Sequence, residues 1–174
     1  MILALLVFFS LVQDRLPISP EILEARIFEL INVERAQHKL KPLQIDSTLT
    51  SIARTHSRDM ARRGFFDHVN PDGKSPAERG REAGRPCRRD YAGYYTLGIV
   101  ENIFQNNLYD RVIFRNDIPT YEWKSLERIA TSTVQGWMNS PGHRQTILTA
   151  KYVTAGIGVA IAANDQVLIT QEFC

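Results

Sequence analysis

The last twenty residues limit the fold most. Gly156-Ile157-Gly158-Val159-Ala160-Ile161 is a small-and-branched run, and Val167-Leu168-Ile169-Thr170-Gln171-Glu172-Phe173 is a second apolar segment. Asn164-Asp165 between them is a turn signal, so the chain ends in a β-hairpin. Earlier apolar residues recur at helical spacing instead. Ser19-Pro20-Glu21 is a helix start, with a capping hydroxyl, a first-turn proline and an early acid. Leu23, Ile27, Leu30, Ile31 and Val33 follow it, and the helix runs to about Gln37, stopped by Lys39-Leu40-Lys41-Pro42. His38 falls at its polar end and reads as solvated. Helices early and a hairpin late predict α+β layering rather than a doubly wound parallel sheet.

A second helix is predicted from Ser47 to Arg63, with Gly64 as its C-cap. Leu49, Ile52, Ala53, His56 and Met60 share one stripe of it, so His56 faces inward as a hydrogen-bonded core histidine. Phe65-Phe66-Asp67-His68 leaves that helix, and Asn70-Pro71-Asp72-Gly73 turns the chain behind it. His68, at the mouth of a loop and beside an acid, is the better site candidate of the two. Ser75-Pro76-Ala77-Glu78 is a capping-box pattern that opens a short helix to about Ala83. Arg79, Arg81, Arg85, Arg88 and Arg89 form a basic stretch diluted by Glu78, Glu82 and Asp90, and it reads as a solvated face. Asp90 to Gly98, rich in Tyr and Gly, reads as loop, and so does Asn106 to Trp123, which Asn116-Asp117 and Pro119 break.

Glu101 stands in Ile99-Val100-Glu101-Asn102-Ile103-Phe104, so it is either exposed on a strand or buried with partners; a histidine pair would serve. Ser125 caps a helix to about Asn139. Ser140, Pro141 and Gly142 then turn the chain into a second helical run carrying His143. Ser140 suits an N-cap and Pro141 a first helical residue. An imidazole at such a helix start is lowered in pKa, hence neutral and able to bind metal or accept a proton.

At 174 residues the chain fits one domain, and a net charge of +2 with no Lys/Arg block argues against nucleic acid as a partner. Met1 to Val12 is almost wholly apolar but too short to span a membrane. Residues 1–18 are therefore set apart from a domain at 19–174. They read as a targeting segment, a buried or partner-seeking helix, or a surface anchor. Cys87 and Cys174 lack the close pairing of a zinc–thiolate site. A disulfide between them is favoured over two unpaired thiols, and it implies an oxidising compartment or a thermophilic source.

Several motifs occur in a familiar order. His56-Ser57-Arg58-Asp59-Met60 and Phe66-Asp67-His68 are followed by Glu101-Asn102-Ile103. Trp137-Met138-Asn139-Ser140-Pro141-Gly142-His143-Arg144 comes next, then Gly156-Ile157-Gly158 and Gln171-Glu172-Phe173. With this set the chain resembles the CAP superfamily of cysteine-rich secretory proteins, antigen 5 and pathogenesis-related-1 proteins, in its prokaryotic branch. The resemblance covers about residues 22 to 174. It implies an α–β–α sandwich with a central, largely antiparallel sheet, and secretion or surface display. It also implies a cleft with two histidines and two acids. By motif His68 and His143 match the histidines and Glu101 the first acid. The second acid follows the helix tryptophan in many eukaryotic members; Met138-Asn139-Ser140 offers none here. His56 matches a position outside that tetrad often held by histidine in prokaryotic members.

Two neutral histidines can hold zinc or another divalent metal weakly, with water completing the shell. Without metal, Glu101 could orient His143 or His68 to activate water or Ser140. No nucleophile elbow or His-Glu-x-x-His signature supports hydrolysis. The favoured reading is a secreted or surface, monomeric binding module with a metal-competent cleft. The alternatives are an extracellular hydrolase of peptide or cell-wall material, and a lipid binder with membrane association through the N-terminal segment. The ligand is accordingly an extracellular peptide, glycan or lipid.

Overall fold

The computed structural model describes residues 17–174. The apolar run at Met1 to Val12 lies outside the described residues, as does most of the 1–18 segment. Helix α1 (Pro20–Gln37) begins where the Ser19 side chain accepts from Ile22 N. After the short strand β1 (Gln44–Ile45), α2 (Ser47–Arg63) is capped by the Asp46 side chain on Leu49 N and closed by Gly64 at φ 68°. The αL conformation there suits a residue without Cβ. Helix α3 (Pro76–Glu82) carries the full reciprocal capping box between Ser75 and Glu78.

Strands β2 (Arg88–Tyr91) and β3 (Tyr94–Leu97) pair antiparallel. Strand β4 (Val100–Asn107) runs into the hairpin of β5 (Tyr109–Arg115) and β6 (Ile118–Trp123). Both loops read from the sequence, Asp90–Gly98 and Asn106–Trp123, are therefore corrected to strands. The physical reason is in the turns. Asn116 and Asp117 have φ of 49° and 63°, the pair of positive values a two-residue hairpin turn needs, so the residues that looked like breakers make the hairpin. Pro119 is tolerated because this two-stranded ribbon leaves it on an edge. Helices α4 (Leu126–Asn139) and α5 (Pro141–Ile147) follow, then the C-terminal hairpin of β7 (Thr154–Ile161) and β8 (Gln166–Phe173).

The main sheet has the order β1-β7-β8-β4, with only the β1–β7 ladder parallel. Helices cover both faces, giving the α–β–α layering. On one face α1 and α4 pack Leu23, Ile27, Ile129, Val134 and Trp137 against Ile157, Val159 and Ile169. On the other, α2 lies almost on the backbone of β7. A Cβ added at Gly156 would sit 2.1 Å from Thr50 N, and one at Gly158 2.1 Å from Arg54 N. The two glycines, one repeat of two apart, thus let helix and strand approach more closely than side chains allow. Ser57 closes the contact, its hydroxyl 2.9 Å from both Gly158 O and Thr170 Oγ1.

Two ties join segments distant in the chain. The fully buried Arg35 of α1 donates to the carbonyls of Lys41, Ile147, Thr149 and Tyr152 at 2.6–3.3 Å, which holds α5 and the entry to β7. Cys87 and Cys174 form a disulfide with Cα atoms 5.6 Å apart.

Candidate functional site

Strand pairing sets the site. Glu101 on β4 stands opposite Glu172 on β8, and both point to the α2 side of the sheet. Alternation along β8 sends Leu168, Thr170 and Glu172 to that face, where Met60 and Ser57 of α2 meet the first two and His56 Nε2 lies 3.8 Å from Glu101 Oε2. The Glu101 and Glu172 side chains are 1% and 0% exposed. Arg79 of α3 reaches in to form an ion pair with Glu101 Oε2 and lies 3.8 Å from Glu172 Oε1. His68 closes the arrangement from the loop after α2, with Nδ1 2.7 Å from Glu101 Oε1.

The protonation states follow from these contacts. Burial pushes the Glu101 carboxyl up, but His68, then the neighbouring Glu172 carboxyl, then the Arg79 charge outweigh it and hold it below the ordinary carboxylate range. Glu172 goes the other way. Burial, then the neighbouring Glu101 charge, raises it well above that range. Among the described residues neither of its oxygens has a hydrogen-bond partner of good geometry, and the Arg79 charge is already taken up by Glu101. Two carboxylates this close in a dry site do not both ionise, so one proton stays on the pair. The hydrogen bond to Glu101 raises the His68 pKa.

His143 is brought to the same neighbourhood by α5. Asn102, next to Glu101, donates to His143 O at 3.4 Å and to Gln171 Oε1 at 3.3 Å. The His143 imidazole is half-buried and makes no hydrogen bond to His68 or Glu101. Its pKa is lowered, first by burial and then by the charge of His68. The direction is the one expected from sequence, but burial rather than the helix start is the larger cause. Ser140 does stand as the N-cap of α5, but its side chain makes no capping hydrogen bond. His56 is the core histidine its stripe predicts. Its Nε2 lies 3.0 Å from Asp67 O, which fixes the proton there, and Phe65 packs edge-on to the ring. Burial lowers its pKa. His38 is exposed at the C-terminus of α1, with Nε2 3.0 Å from Arg144 Nη2.

One expectation is corrected outright. Arg79 does not belong to a solvated basic face; its side chain is only 8% exposed and neutralises Glu101. The capping box that starts α3 puts Arg79 one turn in, on the side facing the sheet, while Arg81 stays exposed. Glu172 is a site residue that sequence reasoning misses. Its signals are its place in the Gln171-Glu172-Phe173 motif and a carboxylate at an inward position of an otherwise buried strand.

The fold and this histidine–carboxylate cluster together define a class, the three-layer CAP-type domain. The sequence profile described as "CAP: Cysteine-rich secretory protein family" matches residues 28–173, and the chain belongs to that family. An uncharacterized protein of Bacillus subtilis (strain 168), YkwD, is 33% identical over 157 residues, covering 90% of this chain; the chain spans only 49% of that relative's length. Among solved structures, an outer surface protein of Borrelia burgdorferi superposes with a TM-score of 0.66 at 16% identity, over 92% of this chain and 97% of that one. An extracellular SCP-domain protein of Bacillus anthracis str. Ames gives 0.62 at 23% identity, over 90% of this chain and 44% of that one. At such identities the likeness is one of fold.

Proposed function

We propose that the chain is a secreted or surface-displayed binding module whose cleft takes a divalent metal, zinc foremost, between His68 and His143. The observation that carries this is the anchoring of His68. A buried carboxylate holds its Nδ1 at 2.7 Å, which leaves Nε2 as the coordinating nitrogen of an oriented ring. His143 is kept neutral by burial, the form a metal needs. Among the described residues no three His, Cys, Asp or Glu side chains converge as a ready metal site. The protein therefore supplies two ligands, and water or a ligand group completes the shell, which makes binding weak. The disulfide suits an oxidising compartment, and the surface and extracellular origins of the two similar structures agree with display outside the cell.

Zinc titration followed by melting temperature tests the reading. Zinc raises the melting temperature of the wild type in proportion to the logarithm of its concentration above Kd, and does not raise that of His68→Ala/His143→Ala. Equal shifts in both proteins, or none in either, would overturn it.

One observation favours a hydrolase as the second reading. Ser140 keeps its hydroxyl out of the cap it was expected to make, on the turn that carries His143. Glu101 orients His68 as an acid orients a general base. Turnover of a peptide or cell-wall substrate, abolished in both His143→Ala and Glu101→Gln with folding intact, would replace the binding-module reading.

A further inference from the structure

Helix α2 stops at Arg63 and Gly64, while the β7–β8 hairpin beneath it runs on through Ile161 and Gln166. The mismatch in length leaves a hollow of about 380 Å³ over that end of the sheet. By alternation along β4, Gln105 of its wall shares a sheet face with Glu101 and Ile103, so the hollow lies on the face of the carboxylate pair but at the other end of the strands. None of His68, Glu101 and His143 lines it. Met60 and Leu168 form its floor, packed with Ile103, and half-buried Ala61 and Ala162 lie against them.

The walls are polar but uncharged. Gln105 and Asn164 are exposed and Gln166 is half-buried, so all three amides meet solvent. Those of Gln105 and Gln166 make no hydrogen bond among the described residues, and Asn164 uses only Oδ1, on Gln166 N at 3.3 Å. Phe66, 45% exposed, and half-buried Phe65 add aromatic surface. No Asp, Glu, Lys, Arg or His lines the hollow.

This lining selects by charge and by polarity. A charged ligand entering it gives up hydration and meets no opposite charge. A purely apolar lipid would cover three amides and leave them unpaired. A neutral sugar satisfies both kinds of surface. Its ring has an apolar C–H face for an aromatic side chain, and its hydroxyls donate and accept, as side-chain amides do. The volume falls within the span of small-ligand sites, about 300–1,000 Å³.

We propose that this hollow binds a neutral, N-acetylated sugar unit of an extracellular glycan. The ring's C–H face lies on Phe66, the hydroxyls hydrogen-bond to Gln105, Asn164 and Gln166, and the acetamido methyl rests on Ala61 and Ala162. The site stands apart from His68 and His143 and does not depend on metal there.

The test is a nitrogen-15 NMR titration of the full chain with tri-N-acetylchitotriose. Maltotriose, which lacks acetamido groups, and the neutral blocked peptide acetyl-Ala-Gln-Ala-amide serve as comparisons. Saturable shifts at Phe66, Gln105, Ala163 and Gln166 are expected, with Kd below about 5 mM. Maltotriose should bind at least about fivefold more weakly, and the peptide should not saturate. Phe66→Ala removes the aromatic face, and Ala163→Trp fills the hollow from an exposed lining position. Each should weaken binding at least about fivefold with the melting temperature unchanged. The Kd should be the same with zinc and with chelator. Absent shifts, unchanged binding in both variants, or equal binding of maltotriose would overturn the proposal. So would saturation by the peptide, or sugar binding that needs zinc, which would put the sugar at the histidines instead.

Discussion

Glu101 and Glu172 face each other across β4 and β8, both sealed from water, with the Arg79 guanidinium shared between them. One carboxylate is matched by Arg79 and His68, and the other keeps its proton. The cleft is thus built over a buried acid that has no charge partner to itself among the described residues.

A folded-state pKa raised above the unfolded value gives stability that is complete below the unfolded value, about 4.5, and lost as pH rises toward the folded one. Glu172→Gln removes that loss while keeping the shape. It should match wild type near pH 4 and melt higher at pH 7–8, at about 2–4 °C per kcal/mol for a chain of this size. Calorimetric melts across that range check it, and a variant less stable at pH 8 would show that Glu172 is needed ionised.

His68 and His143 should titrate in a fixed order. The Glu101 hydrogen bond raises His68, while burial and then the His68 charge lower His143. Imidazole carbon-13 NMR with chelator present should therefore find His68 protonated at a pH where His143 is already neutral. Glu101→Gln should move His68 down. Any stability from His68 is full below about 6.5 and fades as pH rises through its folded value, and it is small because the side chain is 47% exposed.

Gly158→Ala should be severe, at more than about 3 kcal/mol, because its Cβ would meet the backbone of α2 at Arg54 N and Ala53 C. Gly142→Ala is the control, with nothing within 4 Å of the added carbon. Urea melts of the two variants should differ accordingly. Similar effects would mean that α2 shifts easily off the sheet.

Cys87→Ala/Cys174→Ala should lose about 4–5 kcal/mol in the chain-entropy model, since the bond closes a loop with a sequence separation of 87 residues. Urea denaturation measures this directly. A loss under about 1 kcal/mol would mean that the unfolded chain already keeps these ends together.

The amino-acid sequence by itself determined the helices, most of their caps and the C-terminal hairpin, because those signals act within a few residues. Ser19, Ser75 and Ser125 each accept a backbone N–H at the start of their helix, whereas Ser140 does not, and Asp165 takes its left-handed turn. Ordered motifs also identified the family and singled out His68, Glu101 and His143 as candidates. The tertiary structure alone decided what those residues face. Glu172 and Arg79 lie 71 and 22 residues from Glu101 in the chain, and only strand register and the seating of α3 bring them to it. Asn116-Asp117 looked like an interruption because a turn that ends one element and a turn that joins two strands use the same residues. Charge shows the same limit. A single arginine code reads alike whether the side chain is solvated, as at Arg81, or buried against a carboxylate, as at Arg79, since burial is a property of the packed chain and not of the residue.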